Sequence, residues 1–105
     1  MNKVKCLPAV KKARRTEFSE DDFAGICKAL GHPARVRLLR ILIEKGSCIS
    51  GDLAEEFSLA QSTVSEHLRI LKEASLIQGT IDGPKRCYCV NPDTLDYLKE
   101  LVGRI

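Results

Sequence analysis

Tryptophan is absent from the 105-residue chain, and Phe and Tyr together make up only 5% of it. A core with so few rings has to be built mostly from Leu, Ile and Val. No apolar run approaches the roughly 18 residues of a membrane span. No apolar signal region follows Met1 either, so a cytoplasmic protein without a membrane partner is expected. The five cysteines, Cys6, Cys27, Cys48, Cys87 and Cys89, are odd in number and include no CxxC pair. In a reducing cytoplasm they read as thiols rather than as a disulfide framework. There is no Gly-rich phosphate loop, and no Ser or Cys nucleophile is matched to a His by a known motif. Catalysis and a required cofactor are therefore not expected.

The formal net charge of +3 permits nucleic-acid binding without demanding it. The chain is long enough for one small domain, and a domain of this size gains from dimerisation because it buries a modest share of its surface. Residues 1–17 mix Lys3, Lys5, Lys11, Lys12, Arg14 and Arg15 with Pro8 and show no sustained periodicity. They read as a mobile basic arm, with residues 18–105 as the domain. The arm is either a solvated tail or a contact for DNA phosphates.

Residues 51–74, GDLAEEFSLAQSTVSEHLRILKEA, organise the rest. Leu53, Ala54 and Phe57 share one helical face. Val64, Leu68 and Leu71 recur at i, i+4 and i+7 in a second helix. Only Ser58-Leu59-Ala60-Gln61 lies between, so the two helices have to cross sharply, as in a helix-turn-helix. Gln61, Ser62, Thr63, Ser65, Glu66, His67 and Arg69 are assigned to the outer face of the second helix. Short donors and acceptors of this kind can read base edges in a major groove. A solvated helix face is the competing reading.

Ser19 followed by Glu20, Asp21 and Asp22 predicts a helix start, capped and matched to the helix dipole. Phe23, Ile26, Cys27 and Leu30 share a face, which makes Cys27 a small core residue, and Gly31 stops the helix. Pro33 opens the next helix. Val36, Leu39 and Ile43 form its stripe, widened by Leu38 and Leu42, and Gly46 ends it. Ser47 to Ser50 read as a short connection. After Ser75 the period changes to two. Ile77, Gly79 and Ile81 alternate, Asp82-Gly83-Pro84 signals a turn, and Arg86, Tyr88 and Val90 alternate again, which predicts a β-hairpin. Lys85 and Arg86 at its tip could reach a phosphate backbone. Asn91 and Pro92 start a last helix with Leu95, Leu98, Leu101 and Val102 as its stripe.

The predicted architecture is mainly α with a small β-hairpin, a winged helix-turn-helix of five helices and a two-stranded wing. The first and last helices have apolar stripes to spare, so they are expected to form a homodimer about a two-fold axis. Such a dimer implies a palindromic double-stranded operator.

Over about residues 23–102 the chain resembles the ArsR (ArsR/SmtB) family of bacterial repressors. The resemblance is carried by Ala29-Leu30-Gly31-His32-Pro33-Ala34-Arg35-Val36-Arg37-Leu38-Leu39, by Asp52-Leu53-Ala54 and by the run from Gln61 to Ala74, and is continued by Leu76-Ile77 and Tyr88-Cys89-Val90-Asn91-Pro92. It implies a homodimeric repressor released from its operator by an inducer. The inducer is usually a metal ion, a metalloid or a redox-active sulfur species. It carries DNA contacts onto Gln61, Ser62, Thr63, Ser65 and His67, to which the charge pattern adds Arg69, Lys85 and Arg86. Ala60 departs from the Ser often found at that position in the family, and the change removes a cap worth about 1 kcal/mol.

The family's familiar metal sites do not transfer. Ile49 and Gly51 stand where one type has two Cys residues. Leu95, Tyr97, Lys99 and Leu101 offer no imidazole for the other type, so a tetrahedral zinc site is not expected. Instead Cys87 and Cys89 lie two apart on one strand and point to the same face. They are the candidate site for arsenite or a soft metal ion, with Cys6, Cys27 or Cys48 as third ligand. Redox or reactive-sulfur sensing through Cys pairs is the alternative. A winged-helix protein–protein module is a remote one.

Overall fold

The computed structural model describes residues 18–45, 49–50, 60–80 and 87–105. In chain order they form α1 (Glu20–Ala29), α2 (Pro33–Lys45), β1 (Ile49–Ser50), α3 (Gln61–Glu73), β2 (Ile77–Thr80), β3 (Cys87–Val90) and α4 (Pro92–Gly103). The arm, the helix expected over residues 51–57 and the wing tip with Lys85 and Arg86 lie outside the described residues. Four helices are therefore seen among the described residues where five are expected in all.

Local chemistry sets the helix ends. The Ser19 hydroxyl accepts from the Asp22 amide at 3.2 Å and opens α1, with Glu20, Asp21 and Asp22 in its first turn. Asn91 Oδ1 accepts from the Asp93 amide at 3.1 Å and opens α4, with Pro92 at its first position. At the end of α3 the Ser75 amide donates to the Lys72 carbonyl (2.9 Å) and the Leu76 amide to the Leu71 carbonyl (3.0 Å). This is a Schellman turn, and Ser75 holds its left-handed position at φ 64°. Leu71 and Leu76 close the turn, both fully buried.

The sheet is antiparallel with order β1-β3-β2. Its hairpin register pairs Ile77 with Val90 and Gly79 with Tyr88. Gly79 has φ 146°, a backbone setting that side chains resist. Residues 49–50 correct the sequence reading, since they form a strand rather than a connection and pair with Tyr88 and Cys87. Two residues carry no alternation to read; they become a strand only because β3 offers a free edge.

The core joins Ile26 and Ala29 of α1, Leu38, Leu39 and Leu42 of α2, Val64, Leu68 and Leu71 of α3, Leu76, Ile77 and Tyr88. Two assignments change. Val36 and Ile43 are 39% and 43% exposed, while Leu39 of the expected stripe is buried together with Leu38 and Leu42, which only widen it in the sequence reading. The α2 helix is apolar over much of its circumference, so spacing alone does not choose the face; α3 and β3, which pack against it, do. Cys27 is exposed, not a core residue. Ile26 and Ala29 fill the contact beside it, and α1 turns Cys27 outwards. Tyr97 of α4 donates to Asp22 of α1 at 2.8 Å and helps tie the two terminal helices together.

Candidate nucleic-acid interface

The α3 helix has two faces made by spacing. Val64, Leu68 and Leu71 are no more than 2% exposed and anchor it against the core. Ser62, Thr63, Glu66 and Arg69 are exposed, and Ser65 is half-buried. Gln61 is the first residue of the helix. The first two turns thus present hydroxyls outward on a rigid support, as direct base readout requires. At the start of the helix Ala60 sits at the cap position and makes no side-chain cap hydrogen bond. Ala60→Ser is expected to raise stability by about 1 kcal/mol, read as a shift of the urea midpoint at unchanged slope.

His67 departs from its assignment to the outer face. It is 8% exposed, the one buried polar residue among the described residues. Its Nδ1 lies 3.2 Å from Arg35 Nη1, and its ring centroid is 4.6 Å from that of His32. The spacing carried this signal, because position 67 is three residues after Val64 and four before Leu71, beside the apolar stripe. Arginine has only donors, so Nδ1 accepts and the imidazole is neutral. Burial, then the neighbouring His32 and Arg35, holds its pKa below the ordinary 6.5. The folded protein therefore binds fewer protons here than the unfolded chain. The stability this site contributes is complete above about pH 6.5 and is lost as pH falls through the lowered folded value.

Arg69 is exposed but engaged. Its Nε donates to Glu66 Oε1 at 3.1 Å and its Nη1 to Glu73 Oε2 at 2.5 Å, with a further bond from Nη2 to Glu66. These partners stand three residues before it and four after it, where helix geometry brings side chains together. The hydrogen bond from Arg69 pulls the Glu66 carboxyl below its usual range, and the two carboxylates push the Arg69 pKa up. With Lys72 beside them, Glu66 and Glu73 bring this part of the helix to no net charge, so it offers no surplus positive charge. Arg69 has to exchange a carboxylate for a phosphate to contact DNA.

On the wing, Cys89 is 4% exposed and disulfide-bonded. The expectation of two open thiolates side by side is corrected to that extent, because Tyr88 and Cys89 are both buried in the central strand of the sheet. Backbone position 87 pairs with Ser50 and Thr80. Cys27 is a free thiol on α1. Cys6 and Cys48 lie outside the described residues. Among the described residues no three His, Cys, Asp or Glu side chains are grouped to hold a metal ion. No helix among them is long and apolar enough to cross a membrane.

Known proteins share this arrangement. Residues 32–78 match the family described as bacterial regulatory protein, arsR family. The arsenical resistance operon repressor of Staphylococcus xylosus is 32% identical over 83 residues, which cover 79% of this chain and 79% of that one. The crystal structure of an ArsR family transcriptional regulator has the same fold, with a TM-score of 0.71 at 21% identity over 82% of this chain and 88% of the other. The cadmium metal-sensor CmtR of Mycobacterium tuberculosis gives a TM-score of 0.53 at 35% identity, covering 75% and 81%. The match spans α2, α3 and the start of the wing, the elements that hold the hydroxyl-bearing helix in place. This chain belongs to the ArsR family of winged helix-turn-helix, DNA-binding transcriptional regulators.

Proposed function

We propose that the protein is a cytoplasmic homodimeric repressor that occupies a palindromic operator and leaves it when a thiol-reactive inducer binds. The observation that carries the reading is the first turns of α3, where Ser62 and Thr63 stand exposed while Val64 behind them is 1% exposed. Gln61 and Ser65 complete the base-reading set, and Lys85, Arg86 and a released Arg69 supply phosphate contacts. His67 acts from the inner side of the helix.

The inducer is arsenite or a soft metal ion. Supporting this are the cysteine content and the likeness to an arsenical resistance repressor and a cadmium sensor. Cys87 and Cys89 are the proposed ligands, with Cys6, Cys27 or Cys48 as the third. A sulfur held in a disulfide is no thiolate, so coordination requires Cys89 to be reduced first. The disulfide at Cys89 favours a second reading, in which oxidation of a Cys pair is itself the signal.

Mobility shifts on duplexes selected from a random library test the DNA reading. Ser62→Ala with Thr63→Ala is expected to weaken specific binding by about 10- to 100-fold and leave non-specific binding and the melting temperature unchanged. Undiminished specific affinity would remove these residues from the interface. Titration of the reduced protein on its duplex with arsenite tests the inducer. Release by arsenite from wild type, but not from Cys87→Ser with Cys89→Ser, is expected. Release of that double variant would exclude the wing site, and release by oxidant alone would decide for the second reading.

A further inference from the structure

We propose that Arg35 is a positioning residue that clamps the recognition helix through His67, and that the clamp holds only while His67 Nδ1 is unprotonated, so that operator affinity falls at low pH. This rests on the reading of α3 as the DNA-binding element. The geometry joins three helices through one planar group. Arg35 stands in the first turn of α2. Its Nε donates to the Ala29 carbonyl at the end of α1 at 2.6 Å, and its Nη1 reaches His67 Nδ1 in the middle of α3 at 3.2 Å. The guanidinium is rigid and always charged, so the fork fixes a direction as well as a distance. His32 sets the frame for it: its Nδ1 accepts from the Ala34 amide at 3.0 Å and caps the turn that carries Arg35.

Protonation of His67 would place an N–H donor against an N–H donor and a second positive charge against Arg35. The surroundings offer little to offset it. His32 faces the ring from the α1–α2 turn and Arg35 from α2. Among the described residues Glu66 on α3 itself is the one acid that acts on it, and its carboxylate is bound to Arg69. The β2 strand also packs on α3, and Ile77–Thr80 contain no titratable side chain. Loss of the clamp frees the middle of α3 from the α1–α2 corner. Base readout depends on hydrogen bonds of about 2.7–3.2 Å, which a small tilt of Ser62 and Thr63 would break.

The test is operator affinity by fluorescence anisotropy at about pH 7.5 and about pH 5.5, a range that spans histidine titration. Wild type is expected to lose a few-fold more specific affinity than non-specific affinity on acidification, under the about tenfold limit set by one proton on a group that titrates below the ordinary histidine value. His67→Gln keeps an acceptor for Arg35 but cannot titrate. It is expected to bind within about threefold of wild type at pH 7.5 and to show a flat profile. Arg35→Gln is expected to weaken specific binding at pH 7.5 and to show a flatter profile, nearing wild type as acid opens the clamp. His32→Gln is expected to keep a pH-dependent affinity, because His67 and Arg35 remain. Nitrogen NMR of the free protein gives a readout without DNA: His67 should be the Nε2–H tautomer at neutral pH and titrate below an ordinary histidine.

Parallel pH profiles for wild type and His67→Gln would overturn the proposal. So would a His67 that titrates like a free imidazole. Wild-type affinity in a correctly folded Arg35→Gln would also overturn it. If wild type binds no duplex from the library, the failure lies in the DNA reading beneath, and the NMR result still decides whether the clamp exists.

Discussion

Leu71→Ala is expected to lower the unfolding free energy by about 3–4 kcal/mol, the middle of the range for buried leucines. Leu71 is fully buried and does two things at once. It is the last leucine of the α3 stripe, and its carbonyl accepts the Leu76 amide that closes the Schellman turn. Truncation leaves a cavity between α3 and Leu76, itself fully buried, at the point where the recognition helix turns into the wing. In a domain of this size the melting temperature should fall by about 15–25 °C, measured at fixed protein concentration because the proposed dimer would link association to folding. Val36→Ala is the control. Val36 is 39% exposed, and its loss should cost under about 1 kcal/mol. Equal losses in the two variants would mean that α3 is not anchored as described.

Val102→Asp is expected to separate the proposed dimer. Leu101 faces inward at 1% exposure, while Val102 next to it on α4 and Ile105 just past the helix end are 54% and 80% exposed. Leu98 lies one turn before Val102 and is only partly covered by the core. A second copy of the chain is the proposed cover for this stripe. A carboxylate buried there without a partner would cost several kcal/mol. Sedimentation should then report about 11.7 kDa in place of twice that mass. Operator affinity should fall by about 10²- to 10⁴-fold, since two recognition helices no longer bind as one unit. A variant that remains dimeric would exclude α4 as the interface. A wild-type protein that is monomeric yet binds its operator at full affinity would exclude the dimer itself.

Much of the fold was legible because it is local. Ser19 and Asn91 cap helices by reaching amides two or three residues away, and Pro92 needs no partner to suit a first turn. The Val64, Leu68 and Leu71 stripe follows from helix period alone. Other features were present in the residues but misread. His67 lies at apolar spacing, and its polarity alone does not put it on the outer face. Glu66 and Glu73 stand at the spacing that captures Arg69, so its charge was counted as more available than it is.

What the chain determined by itself were the element types, their order and the caps, all set by contacts within a few residues. Tertiary structure decided which way ambiguous surfaces face. Leu38 and Leu42, not Val36 and Ile43, are buried on α2 because α3 and β3 cover that side. Cys27 is exposed because Ile26 and Ala29 make the contact next to it. Residues 49–50 are a strand because β3 has an edge to pair. His67 is neutral and turned inward because Arg35, distant in sequence, meets it across the corner of α1 and α2. Most of these outcomes depend on a neighbour many residues away, and periodicity along one segment carries no record of which neighbour arrives.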